Sequence, residues 1–236
     1  MNLTPLGDRA VLIRLGDRID EAVHRQVRAV YARLVARPVR GTVEVVPAFA
    51  SVAVHYDPAR VPNEQGGRSE ASPYDRFAAA VAAALGDLGE ASLPASRSVE
   101  VPVCYGEAYG PDLGEVAERH GLSPDEVVRL HSSATYRVYM LGFAPGFAYL
   151  GGLPDVIATP RRPEPRTSVP AGSVGIGGSQ TGIYPLVLPG GWQLIGRTPL
   201  RLFDARQSSP TVLAVGDVVT FRPIAPNDFT HLATPA

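Results

Sequence analysis

The sequence predicts two domains of different fold classes: a small α+β domain over residues 1–90 and a β-barrel domain over residues 99–236. Three observations predict this division. Helical and strand patterns of apolar residues alternate in the first half, whereas short β-branched runs punctuated by Gly and Pro fill the second half. Between the two halves, residues 89–98 (GEASLPASRS) have the small, polar, proline-containing composition of a linker, which we place at 91–98.

Five elements account for the N-terminal domain, in the order β-α-β-β-α. Polar and apolar residues alternate over 9–15 as in a half-buried strand, and two β-branched runs at 42–46 and 51–56 form a hairpin. Apolar positions recur at helical spacing over 19–35, and a Ser-Pro pair that favours a helix start precedes the Ala-rich helix at 76–85. With one more strand, this order is that of a ferredoxin-like split β-α-β unit.

Short strands dominate the C-terminal domain. It opens with a strand at 99–103 and continues with two short helices, one of which begins at the capping box of Ser123 and Glu126 and ends at His131. The later predicted strands are 135–141, 183–188, 192–196, 211–215 and 217–222. Short strands with two helices and no β-α-β rhythm predict a closed or nearly closed barrel.

The composition excludes several kinds of chemistry. The chain has 236 residues and a net charge of -1, which gives no electrostatic support for binding nucleic acid or an anionic membrane surface. All 22 basic residues are Arg, so Schiff-base chemistry, a lysine general base and a P-loop lysine are excluded. Any bound phosphate must therefore be held by Arg or by main-chain N–H groups.

The single cysteine and the N-terminus indicate a cytoplasmic protein. Cys104 cannot form an internal disulfide, which fits a reducing compartment. The first residues lack the pattern of a signal peptide, and no apolar stretch reaches transmembrane length. We do not expect Cys104 to be catalytic, because no histidine or basic residue flanks it in the sequence.

Three long motifs in the second half carry a family resemblance. They are HSSATYRVYMLGFAPGFAYLGGLP at 131–154, PRRPEPRTSVPAGSVGIGGSQTGIYP at 160–185 and PGGWQLIGRTPLRLFD at 189–204. In this order and spacing they resemble the KipI family, whose members are also called allophanate hydrolase subunit 1 or the B-type subunit of 5-oxoprolinase. The segments PLGDRAVLIRLGD and VPAFASVAVHYDP extend the similarity over nearly the whole chain.

The resemblance implies a cyclophilin-like fold for the barrel and an enzyme that needs partner subunits. The implied activity is ATP-dependent hydrolysis of 5-oxo-L-proline to L-glutamate, with this chain inactive alone. The implied partners are a second cyclophilin-like subunit, the C-type subunit of 5-oxoprolinase, and a lactam-utilisation subunit of the A type, with ATP and Mg at a site shared between subunits. Two alternatives remain: a regulatory protein that inhibits a sensor histidine kinase, and a carboxyltransferase-like or allophanate hydrolase-related subunit.

Opening a lactam at the expense of ATP requires donors for phosphate, positive charge for developing anions and a positioned proton acceptor. For catalysis, we expect Arg166 to stabilise developing charge and His131 to act as a general base. The candidates for nucleotide binding are Arg161, Arg162, Gly175, Gly177, Gly178 and Arg197. The glycines are included because a nest of main-chain N–H groups can bind an anion.

Each candidate also has a structural interpretation. The arginines can pair with barrel edges, the glycines can serve a barrel corner, and His131 can stabilise the dipole at a helix C-terminus. The run 172–179 has P-loop spacing, but Gly178 stands where the lysine belongs and no strand-then-helix context surrounds it, so a P-loop is rejected. The aromatic band at 136–149 and Trp192 fit either core packing or a partner interface. The remaining histidines are not clustered, so no metal site is expected.

Overall fold

The computed structural model describes residues 2–18, 20–63, 71–86 and 96–233. The chain divides into two compact units, Met1–Ala95 and Ser96–Ala236, and each unit has its own hydrophobic core. Most of the linker predicted at 91–98 lies outside the described residues, as does Ile19, where the first helix was predicted to begin. Among the described residues, no helix is both long and apolar enough to cross a membrane.

The N-terminal unit contains a four-stranded antiparallel sheet. Its elements in chain order are β1 (Asn2–Pro5), β2 (Ala10–Arg14), α1 (Glu21–Ala36), β3 (Thr42–Pro47), β4 (Ser51–Tyr56) and α2 (Pro73–Leu85). The strand order is β1-β2-β4-β3, and every neighbouring pair is antiparallel. The five predicted elements are present, and β1 is the additional strand that the predicted order lacked. It precedes the others and forms a hairpin with β2.

Both helices of this unit begin at side-chain caps and bury one face. Asp20 accepts main-chain hydrogen bonds at the start of α1, and Ser72 and Asp75 form a capping box at the start of α2. Val27 of α1 and Phe77 of α2 are fully buried in the same core. The amphipathic spacing therefore positions the helices, and the caps fix where they begin.

The C-terminal unit contains a closed seven-stranded barrel over the described residues 96–233. Its elements are β5 (Ser98–Tyr105), α3 (Leu113–His120), α4 (Pro124–Ser133), β6 (Thr135–Leu141), β7 (Ala148–Gly151), β8 (Arg166–Val169), β9 (Ser173–Gly177), β10 (Gln180–Ile183), β11 (Leu188–Gly190), β12 (Gln193–Arg197), β13 (Val218–Pro223) and α5 (Pro226–Ala233). The barrel order is β10-β7-β6-β13-β5-β12-β9, while β8 and β11 form a separate two-stranded sheet. The predicted barrel is confirmed.

Two of the predicted strands are wrong. The run 183–188 is not continuous, because β10 ends at its first residue and the chain bends through Pro185, which has no N–H for a ladder hydrogen bond. The run 211–215 makes only an isolated bridge at Thr211. Leu213 within it is 1% exposed, so its apolar pattern reflects a buried loop residue. The sequence prediction also missed β1, β7, β8, β9, α5 and all but one residue each of β10 and β11.

Candidate functional site

Asp112 is the centre of a buried charge cluster in the barrel unit. Its main-chain N–H donates to the Leu194 carbonyl of β12 at 2.9 Å, and its carboxylate accepts the Leu194 N–H at 2.6 Å. The same carboxylate accepts hydrogen bonds from Arg166 Nη2 at 2.6 Å and Arg162 Nη1 at 3.2 Å. Only 4% of Asp112 is exposed, so its negative charge depends on these partners.

The two arginines of this cluster are committed to the protein itself. Glu115 lies 3.8 Å from Arg162 as a second, more exposed acid. Arg162 Nε and Arg166 Nη1 are buried and have no hydrogen-bond partner among the described residues. This geometry agrees with the structural interpretation of the two arginines, in which they pair with other groups of the barrel unit. The catalytic role of Arg166 and the nucleotide-binding role of Arg162 stay predictions.

Arg161 lies in a different environment from its sequence neighbour Arg162. Its guanidinium carbon is 5.8 Å from the centroid of the Trp192 ring, within the range of a cation–π contact. No carboxylate of the described part of the chain forms an ion pair with Arg161. Arg161 lines a surface pocket of about 250 Å³. Its role as a nucleotide ligand stays a prediction.

Aromatic side chains form the walls of this pocket, which we call the aromatic pocket. Phe147, Tyr184 and Trp192 are buried, and the Phe147 centroid lies 5.2 Å from that of Tyr184 and 5.7 Å from that of Trp192, with the rings edge to face. Burial raises the pKa of the Tyr149 and Tyr184 phenols; a hydrogen bond with the Trp192 backbone opposes the shift at Tyr184, and the nearby Arg161 charge opposes it at both. Both phenols are therefore protonated at neutral pH and can donate hydrogen bonds.

Phe143 forms the lip of the aromatic pocket. Its side chain is 62% exposed, and its φ of +71° lies in the left-handed region that non-glycine residues seldom occupy. Its ring meets Phe147 edge to face at 5.4 Å between centroids. An exposed aromatic side chain on a strained backbone adds little to core packing, and such strain is typical of binding sites.

Two glycines of the second motif make room for Trp192. A Cβ on Gly177 would lie 2.6 Å from Trp192 Cε2, and a Cβ on Gly175 would lie 3.1 Å from the Trp192 Cβ. Both glycines belong to β9, which pairs with β10 on one edge and with β12 on the other. The close approach of the indole to the sheet requires residues without a side chain there.

The main-chain N–H groups at the two ends of β9 already have acceptors. The Gly172 N–H donates to the Tyr184 carbonyl at 2.7 Å, and the Gly178 N–H donates to the Thr159 carbonyl at 2.8 Å. Gly178 has a φ of +66° at the turn between β9 and β10. A phosphate bound by the main chain at either end of β9 would compete with these hydrogen bonds. Nucleotide binding by the three motif glycines stays a prediction.

His131 lies in the interior of the barrel unit and is fully buried. Its Nδ1 is 2.8 Å from Tyr105 Oη, and its Nε2 is 3.0 Å from Thr181 Oγ1. Burial lowers the pKa of His131 to about 3, so the imidazole is neutral at physiological pH. The helix also continues beyond His131 to Ser133. Its role as a general base stays a prediction.

Arg197 ends β12 and is held by groups other than carboxylates. Its Nε donates to the Ala171 carbonyl at 2.8 Å, and its guanidinium carbon lies 5.9 Å from the Phe229 ring centroid. Its nucleotide-binding role stays a prediction. Within the described residues, no group of three His, Cys, Asp or Glu side chains is placed to hold a metal ion.

Asp112 is the site residue that the sequence analysis did not single out. It is one acid in the segment GPDLGEV, and the arginines that pair with it follow 50 and 54 residues later. No local pattern marks such a residue. Its one sequence signal is indirect, namely the three arginines that the motif PRRPEPR concentrates. The fold partly buries two of them, and a buried arginine requires a compensating acid.

Comparison with known proteins defines the class of this chain. The family described as carboxyltransferase domain, subdomain C and D, matches residues 1–213. The chain is 47% identical to the B-type subunit of 5-oxoprolinase from Bacillus subtilis (strain 168), over 95% of this chain and 93% of that protein. It is 46% identical to the B-type subunit from Escherichia coli O157:H7, over 92% of this chain and 94% of that protein. The chain therefore belongs to the family of 5-oxoprolinase B-type subunits, as the motifs predicted.

Solved structures support the fold. The structure of TTHA0988 is 36% identical with a TM-score of 0.77, over 92% of this chain and 40% of that protein, so this chain spans less than half of it. Kluyveromyces lactis urea carboxylase has a TM-score of 0.69 at 19% identity, over 97% of this chain and 22% of that protein, which shows the fold alone.

Proposed function

We propose that this chain is the B-type subunit of a cytoplasmic, ATP-dependent 5-oxoprolinase that hydrolyses 5-oxo-L-proline to L-glutamate. It acts with a second cyclophilin-like subunit of the C type and a lactam-utilisation subunit of the A type, and it is inactive alone. One observation carries the proposal: two curated relatives of this name match at 46–47% identity over 92–95% of the chain. The closed barrel supports a cyclophilin-like domain.

The reaction needs a coupled source of free energy, because opening a five-membered lactam in water is unfavourable near neutral pH. ATP would supply it by activating the amide oxygen as a phosphate ester. In this chain, Arg162 and Arg166 already pair with Asp112, and the amides at the ends of β9 already donate to protein carbonyls. We therefore propose that ATP and Mg bind at a site to which the partner subunits contribute most phosphate ligands.

The two alternative functions have weaker support. The relatives from Bacillus subtilis, Escherichia coli O157:H7 and Haemophilus influenzae are all named as enzyme subunits, so a purely regulatory kinase inhibitor is not favoured. The carboxyltransferase-like alternative draws on the likeness to urea carboxylase, which at 19% identity concerns the fold and not the reaction.

Reconstitution tests the proposed function. The chain is co-expressed with candidate A-type and C-type subunits, and L-glutamate release from 5-oxo-L-proline is measured with and without ATP. We expect activity that requires ATP and disappears when any one subunit is omitted. The chain alone serves as the control and should be inactive. A folded, assembled complex that releases no glutamate would rule out this function.

A further inference from the structure

Arg161 carries a positive charge that no acidic side chain of the described residues compensates. The aromatic pocket that it lines contains no acidic side chain, and no carboxylate of the described residues pairs with it. Arg161 is also exposed, so a ligand in solution can reach its guanidinium group. An arginine without a carboxylate partner beside a pocket favours a ligand with a carboxylate or another oxyanion, because the planar guanidinium binds these groups with two hydrogen bonds.

The pocket walls restrict what carries that carboxylate. Apart from Arg161 and the phenols of Tyr149 and Tyr184, the lining consists of aromatic rings, prolines and main chain. At about 250 Å³, the pocket is small for a nucleotide. Arg161 is the single cation among the described residues that line it, and the neighbouring Arg162 pairs with Asp112 outside this lining. These features suit a compact ring with a single carboxylate better than a triphosphate.

We propose that the aromatic pocket of this chain binds the small cyclic monocarboxylate substrate, with Arg161 paired to its carboxylate and the aromatic walls against its ring. This assignment rests on the proposed function, in which that substrate is 5-oxo-L-proline. The protonated phenol of Tyr184, which lines the pocket, can donate a hydrogen bond to the lactam carbonyl. The exposed ring of Phe143, which lines the pocket, would limit access of water to the bound substrate.

The decisive experiment measures KM for 5-oxo-L-proline in the reconstituted complex with Arg161→Gln. This change removes the charge while keeping a polar side chain. The matched control is Arg129→Gln, which removes an exposed arginine on α4 outside the pocket. We expect Arg161→Gln to raise KM by about tenfold or more, since a charge-assisted pair is lost, with kcat and the KM for ATP little changed. A KM equal to that of Arg129→Gln overturns the assignment and leaves the proposed function intact.

Binding to the full chain alone provides a second readout that does not depend on catalysis. The only tryptophan, Trp192, lines the pocket, so its fluorescence reports occupancy. We expect 5-oxo-L-proline to change the emission saturably, and 2-pyrrolidinone, which lacks the carboxylate, to have little effect at the same concentrations. Arg161→Gln should weaken the response. If the wild-type complex is inactive, the proposed function fails, and this titration decides the pocket: no saturable response, or a response to ATP instead, overturns the assignment.

Discussion

Arg161 and Arg162 are neighbours in sequence, yet they belong to regions of opposite character. Arg162 joins Arg166 on the buried carboxylate of Asp112, where every charge has a protein partner. Arg161 lies over Trp192 at an exposed pocket where no acid of the described residues pairs with it. Arginine density in a motif therefore does not locate a binding site. A structural arginine differs from a candidate binding arginine in whether a protein carboxylate already compensates its charge.

The largest expected effect comes from breaking the compensated region with Asp112→Ala. Removing the acid leaves two partly buried guanidinium groups and the Leu194 N–H without their acceptor. We expect the free energy of unfolding to fall by about 3 kcal/mol, measured by urea denaturation. The control is Glu115→Ala, which removes the exposed acid 3.8 Å from Arg162 and should cost about 0.5 kcal/mol or less. Equal effects would show that the cluster is not structural.

The second effect comes from the buried imidazole of His131. Its pKa of about 3 in the folded chain lies below its ordinary 6.5, so between these values the unfolded chain binds a proton that the folded chain excludes. Stability therefore falls as the pH is lowered, by about 3 kcal/mol between pH 6.5 and 4. Denaturation of the wild type and of His131→Gln over this range measures it. The same pH dependence in both would exclude His131 as its source.

The third effect links the barrel wall to the aromatic pocket. Gly177→Ala places a methyl group 2.6 Å from the Trp192 ring, so the indole must shift, and we expect a loss of about 1–3 kcal/mol with an altered fluorescence spectrum. Gly114→Ala is the matched control, because it adds a methyl group to α3 with nothing within 4 Å. Alanine in that helix should stabilise the protein by about 0.5–1 kcal/mol. Two changes of the same sign would refute the packing argument.

The smallest expected effect concerns the strained lip. Phe143→Gly relieves the left-handed backbone, whereas Phe143→Ala retains most of the strain, and both remove the ring. We expect the glycine variant to be more stable than the alanine variant by about 1 kcal/mol in thermal denaturation. Both should raise KM for the lactam in the complex. Equal stability of the two variants would show that the φ of Phe143 carries no strain.

Local signals in the sequence located many of the elements. The strand at Thr135–Leu141 and the start of α4 after Ser123 were predicted at the observed positions, because β-branched alternation and a capping box act within a few residues. β1 was missed because it is four residues long and gains its pairing only from β2. The run at 211–215 was predicted as a strand because a buried loop and a strand share the same apolar pattern.

The site was less predictable than the fold, for a physical reason. The motifs concentrate arginines, glycines and aromatic residues, but their roles depend on partners far along the chain. Asp112 pairs with Arg162, which lies 50 residues later in the chain. The Trp192 ring leaves no room for a side chain at Gly177. Neither relation follows from spacing, because each depends on the closed barrel. The motifs therefore indicated the segment that holds most residues of the charge cluster and of the aromatic pocket, and the structure was needed to show which of these residues already have protein partners.

The position of β13 has a consequence for how this protein is made. Val218–Pro223 inserts between β5 and β6, the two strands of the barrel that are synthesised first, and Arg97 and Asp217, 120 residues apart, form an ion pair where that insertion begins. During synthesis, β5 and β6 each have one edge that stays unpaired until β13 has been made. Such edges are sites of intermolecular pairing. Pairing of β13 with both strands is thus the step that removes this aggregation hazard from the nascent barrel.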